Sequence, residues 1–128
     1  MRGNFDVSML NNEEHMRIIQ EYVPGCQVTL AHIIASPDKI LYQKLGLDPK
    51  VDYEKAAIGV TTVTPSETAI IMADVALKAS GITLGFVDRF SGSMIITGTV
   101  SEVQAAMEAA LEYVKDKLNY TVCTITKT

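Results

Sequence analysis

Tryptophan is absent from this chain of 128 residues, and aromatic side chains make up only 6% of it, which leaves little material for a surface that stacks on bases. Positive charge is also sparse. Eleven Lys and Arg stand against 15 Asp and Glu, for a net charge of -4, and no basic cluster exists to neutralise a row of phosphates, so nucleic acid is not an expected partner. No apolar run approaches the roughly 18 residues of a membrane span, so no membrane partner is expected either. The two cysteines, Cys26 and Cys123, lie far apart without C-x-x-C spacing, so neither a zinc framework nor a thioredoxin-type motif can be drawn. Met1 to Met16 carries Asp6, Glu13 and Glu14 and lacks the continuous apolar core of a signal peptide, which reads as a cytosolic protein with reduced thiols.

What the chain does contain is apolar surface to bury. With 48% hydrophobic and 20% charged residues it is far from a disordered composition, and its length suits one domain burying about two-thirds of its unfolded surface. Residues 1–16 are polar and without sustained period, and are expected to be a mobile tail. Arg17 to Val23 reads as a short extended segment ending in the turn Pro24-Gly25. Gln27 to Ala35 reads as a strand, Ser36-Pro37 as a helix start, and Ile40 to Leu45 as a short helix stopping near Gly46. Asp48 to Lys55 is a polar connector.

From Ala56 two junctions look alike. Ile58 to Val63 leads into Thr64-Pro65-Ser66-Glu67, and Met94 to Thr97 leads through Gly98 into Thr99-Val100-Ser101-Glu102. Each is a T-x-x-E capping box, in which the Thr hydroxyl accepts from the N3 amide and the Glu returns to the N-cap amide, and each predicts a strand handing over to a helix. The helices are expected to run to about Ser80 and Leu118. Strands Ile82 to Phe90 and Met94 to Thr97, turned by Ser91-Gly92-Ser93, fall between them, and Tyr120 to Thr126 is the last strand. The order β-α-β-β-α-β makes this an α+β chain of ferredoxin-like, split βαβ arrangement, preceded by an extra strand and short helix.

The first long helix is more apolar than its place in a small domain requires. Ala69, Ile70, Ile71, Met72, Ala73, Val75, Ala76, Leu77 and Ala79 surround the helical wheel and leave Glu67, Asp74 and Lys78 as a narrow polar stripe. One sheet face cannot cover all of it, so another subunit or another element must.

Chemistry-bearing residues are few and ungrouped. His32 lies in a strand without a second histidine nearby and reads as structural before it reads as a ligand or general base. His15 sits in the polar tail, where a metal site would have to recruit carboxylates that the spacing does not group. Cys26 follows a turn but has no Cys-His-Asn order around it, and Cys123 reads as a small core residue. Asp88-Arg89 precedes the Ser91-Gly92-Ser93 turn, where a polar ligand, an intersubunit ion pair and a solvated strand end are all compatible with the residues. Lys78 follows Asp74 by four, an ordinary helical pair or an interface group. Neither G-x-G-x-x-G nor a P-loop is present, and no cofactor, metal or catalytic residue is expected.

Four segments then carry a resemblance. Arg17 to Gly25 (RIIQEYVPG), Gln27 to His32 (QVTLAH), Thr64 to Glu67 (TPSE) and Gly85 to Gly92 (GFVDRFSG) closely resemble the circularly permuted, single-domain shell proteins of bacterial microcompartments, the kind found in ethanolamine, propanediol and choline utilisation. The resemblance covers about Arg17 to Thr128. It implies a non-enzymatic, hexamer-forming tile whose shell encloses enzymes, confines a volatile or toxic aldehyde, and assembles with other shell proteins in the bacterial cytoplasm. It also implies that residues 26–128 are one permuted shell domain, with Val28 to Leu45 being the strand and short helix that end an ordinary-order member. Lys78, with Asp74, falls where such proteins carry the lysine of the hexamer edge, whereas Ser36 stands where ordinary-order members have an edge arginine. Arg17, Ile18, Ile19, Gln20, Glu21 and Tyr22, within residues 17–25, match a strand that in permuted relatives joins a six-strand barrel over the pore, and Ser91, Gly92 and Ser93 belong to the same axis. The rival class with this element order is a small-ligand regulatory domain of the ACT or nitrogen-regulator kind. Sixfold particles would favour the shell, and dimers stabilised by an amino acid or nucleotide would favour regulation.

Overall fold

The computed structural model describes residues 25–47 and 56–128. The expected tail, the strand Arg17 to Val23 and the connector Asp48 to Lys55 lie outside them. Among the described residues, five strands form one sheet: β1 (Gln27–Ile34), β2 (Ala57–Thr64), β3 (Thr83–Asp88), β4 (Ser93–Gly98) and β5 (Thr126–Lys127). Their order is β3-β4-β2-β1-β5. Three helices accompany them, α1 (Lys39–Leu45), α2 (Thr68–Ala79) and α3 (Val100–Leu118). The element order and the extra leading strand and helix agree with the sequence pattern.

β1 takes a place inside the sheet, antiparallel to β2 from Gln27↔Thr64 to Ile34↔Ile58. The last segment is less of a strand than expected. Thr121 bridges Gln27, and only Thr126–Lys127 pair in parallel with His32 and Ile33. Between these points Val122, Cys123 and Ile125 turn toward the core instead of running along the ladder, so side-chain burial prevails over pairing.

The two capping boxes diverge. At α3 the box is complete: Thr99 Oγ1 accepts from the Glu102 amide at 3.2 Å, and the Thr99 amide donates to Glu102 Oε1 at 3.0 Å. At α2 the expected box does not form. Thr64 is still the last residue of β2, opposite Gln27. The Thr64–Pro65 peptide is cis, and the chain makes a turn, with the amides of Thr68 and Ala69 donating to the carbonyls of Pro65 and Ser66. The N-cap is Glu67, without a side-chain cap bond. Pairing with β1 removes Thr64 from the helix start. A smaller correction applies to α1, whose cap is Asp38, accepting from the Ile40 amide at 3.1 Å, in place of Ser36. Its end is as expected, with Gly46 in the left-handed region at φ 72.

Both long helices cover one sheet face. Val28, Ala31, Ile33, Ala57, Met94 and Ile96 from the strands meet Met72 and Ala76 of α2 and Val103, Met107 and Val114 of α3. Gly59 permits the closest approach, because a Cβ there would lie 2.7 Å from Val103 Cγ1 and 2.9 Å from Met107 Sδ. Among the described residues the opposite face carries only α1, whose Tyr42 packs with Leu47, Ala56 and Ile58.

Sheet register gives the domain two ends. Gln27, Thr64, Ser93 and Asp88 share one, the hairpin end; Ile34, Ala57, Gly98 and Thr83 share the other. Helix α2 leaves the hairpin end and, over its 12 residues, rises about 18 Å toward the far one. Helix α3 returns, and Tyr120 just beyond it bonds its hydroxyl to Thr68 Oγ1 at 2.6 Å.

Candidate assembly site

The hairpin between β3 and β4 is held by its own polar groups. Turn residues are Arg89 to Gly92, and Ser93 is already the first residue of β4, one position earlier than the sequence pattern predicts. Asp88 Oδ1 accepts from the Phe90 amide at 3.0 Å, the Gly92 amide donates to the Asp88 carbonyl at 2.9 Å, and the Ser93 amide donates to Ser91 Oγ at 3.3 Å. The bond from the Phe90 amide, and after it one from the Ser91 hydroxyl to the same carboxylate, hold the Asp88 carboxyl below its ordinary 3.8. Gly92 sits at φ 78, and a Cβ there would be 2.2 Å from the Val63 carbonyl oxygen. Only glycine fits. The Val63 amide in turn donates to the Gly92 carbonyl at 3.0 Å, which ties the hairpin to the end of β2.

The turn therefore presents its remaining side chains rigidly. Phe90 is 78% exposed, and the Arg89 guanidinium carbon lies 4.9 Å from the centre of its ring. Nothing in the sequence pattern singled out Phe90. Its signal, visible afterwards, is an apolar residue in a turn whose neighbours are all polar or glycine.

Helix α2 provides the second surface. Thr68, Ala69, Met72, Ala73 and Ala76 are buried, whereas Ile70, Ile71 and Leu77 are 51%, 41% and 45% exposed. The excess apolar surface read from the helical wheel is thus real and left uncovered by the described residues. In the last turn, at the far end, Lys78 Nζ lies 2.9 Å from Asp74 Oδ2, with both side chains exposed. The Asp74 hydrogen bond, followed by its charge, raises the Lys78 ammonium above its ordinary 10.5. Residues 91–93 and the pair Asp74–Lys78 therefore occupy opposite ends of the domain. Chain entry at Gly25, with φ 86, is at the hairpin end, beside Gln27.

His32 has a structural role. Its ring nitrogens lie 2.5 Å from Thr126 Oγ1 and 3.0 Å from Thr128 Oγ1, so it fastens β5 to β1. Cys26 and Cys123 are free and half-buried, and Cys123 packs at the margin of the core instead of within it. Among the described residues no three His, Cys, Asp or Glu side chains are placed to hold a metal ion, and no helix is long and apolar enough to cross a membrane.

Known proteins share this arrangement. The family described as BMC domain matches residues 57–126. The bacterial microcompartment shell protein PduU of Salmonella typhimurium is 48% identical over 112 residues, which are 88% of this chain and 93% of that protein. The shell protein EutS of Escherichia coli K12 is 49% identical over 111 residues, 87% of this chain and 96% of EutS. Among solved structures, a flat hexamer of CutR superposes with a TM-score of 0.75 at 47% identity, covering 88% of this chain and 99% of CutR. A screw form of CutR superposes at 0.74 and 45% identity, covering 82% and 100%. With the β-α-β-β-α-β order, the rigid hairpin and the uncovered helix α2 in place, these matches make the chain a member of the BMC-domain family of bacterial microcompartment shell proteins.

Proposed function

We propose that this chain is a non-catalytic tile that assembles into hexamers and, with other shell proteins, forms the wall of a cytoplasmic microcompartment, enclosing enzymes and retaining an aldehyde intermediate. The single observation that carries the reading is the apolar outer face of α2, with Ile70, Ile71 and Leu77 exposed, because water-exposed patches of this kind on small domains are subunit contacts. The hairpin end, with Ser91, Gly92 and Ser93, faces the sixfold axis, and Lys78 with Asp74 lies at the rim where one hexamer meets the next. A permuted order, with residues 26–128 as one shell domain, places β1 and α1 ahead of the matched region. Residues 1–16 are a tail, and Arg17 to Tyr22 form one strand of a barrel over the axis. Six such strands in a closed ring satisfy amides and carbonyls that a lone strand leaves open.

Light scattering coupled to size exclusion tests the reading: the mass expected is six times 13.9 kDa. Electron microscopy of concentrated protein should then reveal sheets, tubes or facets. A stable monomer at micromolar concentration would refute it.

A further inference from the structure

We propose that the exposed hairpin tip, Phe90 with Arg89, is the seat on which this chain's own segment Arg17 to Val23 docks. The proposal deepens the axial reading above and rests on it.

Three observations support it. First, Phe90 is the most exposed large apolar side chain among the described residues, at 78%, yet it stands on a turn locked by Asp88, Ser91 and Gly92. A rigid apolar group that the described residues leave largely uncovered is the anchor type of an interface, since little conformational freedom is lost when it is covered. Second, the chain enters the described fold beside it. Gln27 pairs with Thr64, the neighbouring Val63 is bonded to Gly92, and Gly25 is exposed at the same end. The strands β1, β2 and β4 are adjacent, so the distance from Gln27 to the hairpin column is about 10 Å, two strand spacings. The seven residues of Arg17 to Val23 extend to roughly 23 Å, so they are long enough to reach the tip of their own subunit. Third, the chemistries match. In an extended strand Ile19 and Glu21 share a face, so the segment offers on one side an apolar partner for the ring and a carboxylate for the Arg89 guanidinium. Arg89 over the ring holds the cation beside the apolar contact, which is the arrangement a mixed apolar and acidic segment would meet.

In this arrangement the hairpin does more than border the axis. It fixes the position of the capping strand, and the cap is lost when the anchor is truncated.

Hydrogen exchange on the full chain tests this, with light scattering on the same samples. In the wild type the amides of Ile18 to Tyr22 should be protected. Phe90→Ala should speed their exchange by about tenfold or more, and Phe90→Leu should retain most of the protection. Amides of β2 and β4 should be unchanged in both variants, because Phe90 packs against nothing in the core. Protection at Ile18 to Tyr22 that Phe90→Ala leaves intact would overturn the docking while leaving the barrel standing. Rapid exchange of those amides in the wild type would overturn both the docking and the barrel. The hexamer is judged separately, by the mass of the wild type.

Discussion

The two long helices lie side by side on one sheet face and use their surfaces in opposite ways. Helix α3 is amphipathic in the ordinary sense. Val103, Ala106, Met107, Ala110, Leu111 and Val114 are buried, its outer positions carry groups such as Gln104 and Glu108, bonded at 2.9 Å, and Tyr113 is its one exposed large apolar side chain. Helix α2 buries mostly alanine and keeps its isoleucines and Leu77 outside. Small residues inward and large ones outward is the reverse of what folding alone selects. The contrast separates a helix that holds the domain together from one whose outer apolar face the described residues leave uncovered.

Substitution can break that contrast, and the largest effect belongs to α3. Met107→Ala removes a fully buried side chain and should lower stability by about 2–5 kcal/mol in denaturant titration. Ile71→Ser on α2 should act on mass instead, reducing the oligomer fraction in light scattering while the dissociated domain keeps its circular dichroism. Should both changes act on the same observable, the division between the helices would be wrong.

The next effect concerns how the helices begin. Thr99→Ala removes a working cap and should cost about 1 kcal/mol. Thr64→Ala, at an exposed strand end with the same local sequence, should stay within about 0.5 kcal/mol. Equal losses would mean that Thr64 caps α2 after all. Smaller still is the Asp74–Lys78 pair: Lys78→Ala removes an exposed i,i+4 contact and should leave the melting temperature essentially unchanged. It should nevertheless impair sheet or tube formation under the electron microscope.

Titration gives the smallest effects and again places the two ends apart. Asp88 has its pKa lowered, so its contribution is present above its ordinary 3.8 and fades as pH falls through the lower folded value. Lys78 has its pKa raised, so its contribution is complete below 10.5 and fades as pH rises beyond that. Both groups are solvent-exposed, and between pH 5 and 9 melting temperature should be insensitive to either. Asp88→Asn should flatten the acid limb alone, and Lys78→Ala the alkaline limb alone.

Much of this architecture is legible in the chain, because its signals are local. The Thr99 box, the Gly46 stop and the excess apolar surface of α2 depend on residues within a turn or two of one another. What escaped the sequence depends on partners far away. Thr64 and Thr99 stand in matching tetrapeptides, yet only the first has a strand opposite it, and Gln27, 37 residues earlier, decides its fate. Ser36 loses the cap of α1 to Asp38, whose carboxylate reaches the Ile40 amide. The final strand shrinks because Val122 and Ile125 find the core more favourable than the ladder. At the candidate site, the hairpin position was readable from Ser91-Gly92-Ser93, but the exposure of Phe90 was not, since it follows from how tightly Gly92 lies against Val63.

The discontinuous pairing of the last segment also governs colloidal behaviour. β1 is an eight-residue strand rich in valine, leucine and isoleucine, and among the described residues its outer rim is covered at both ends only by residues 121 and 126–128. Those few bonds, with the two threonine hydroxyls at His32, stand between an orderly tile and a strand free to template copies of itself. A chain shortened after Asn119 would present that rim bare. Its aggregates should bind thioflavin and grow as fibres, with none of the flat geometry of a shell.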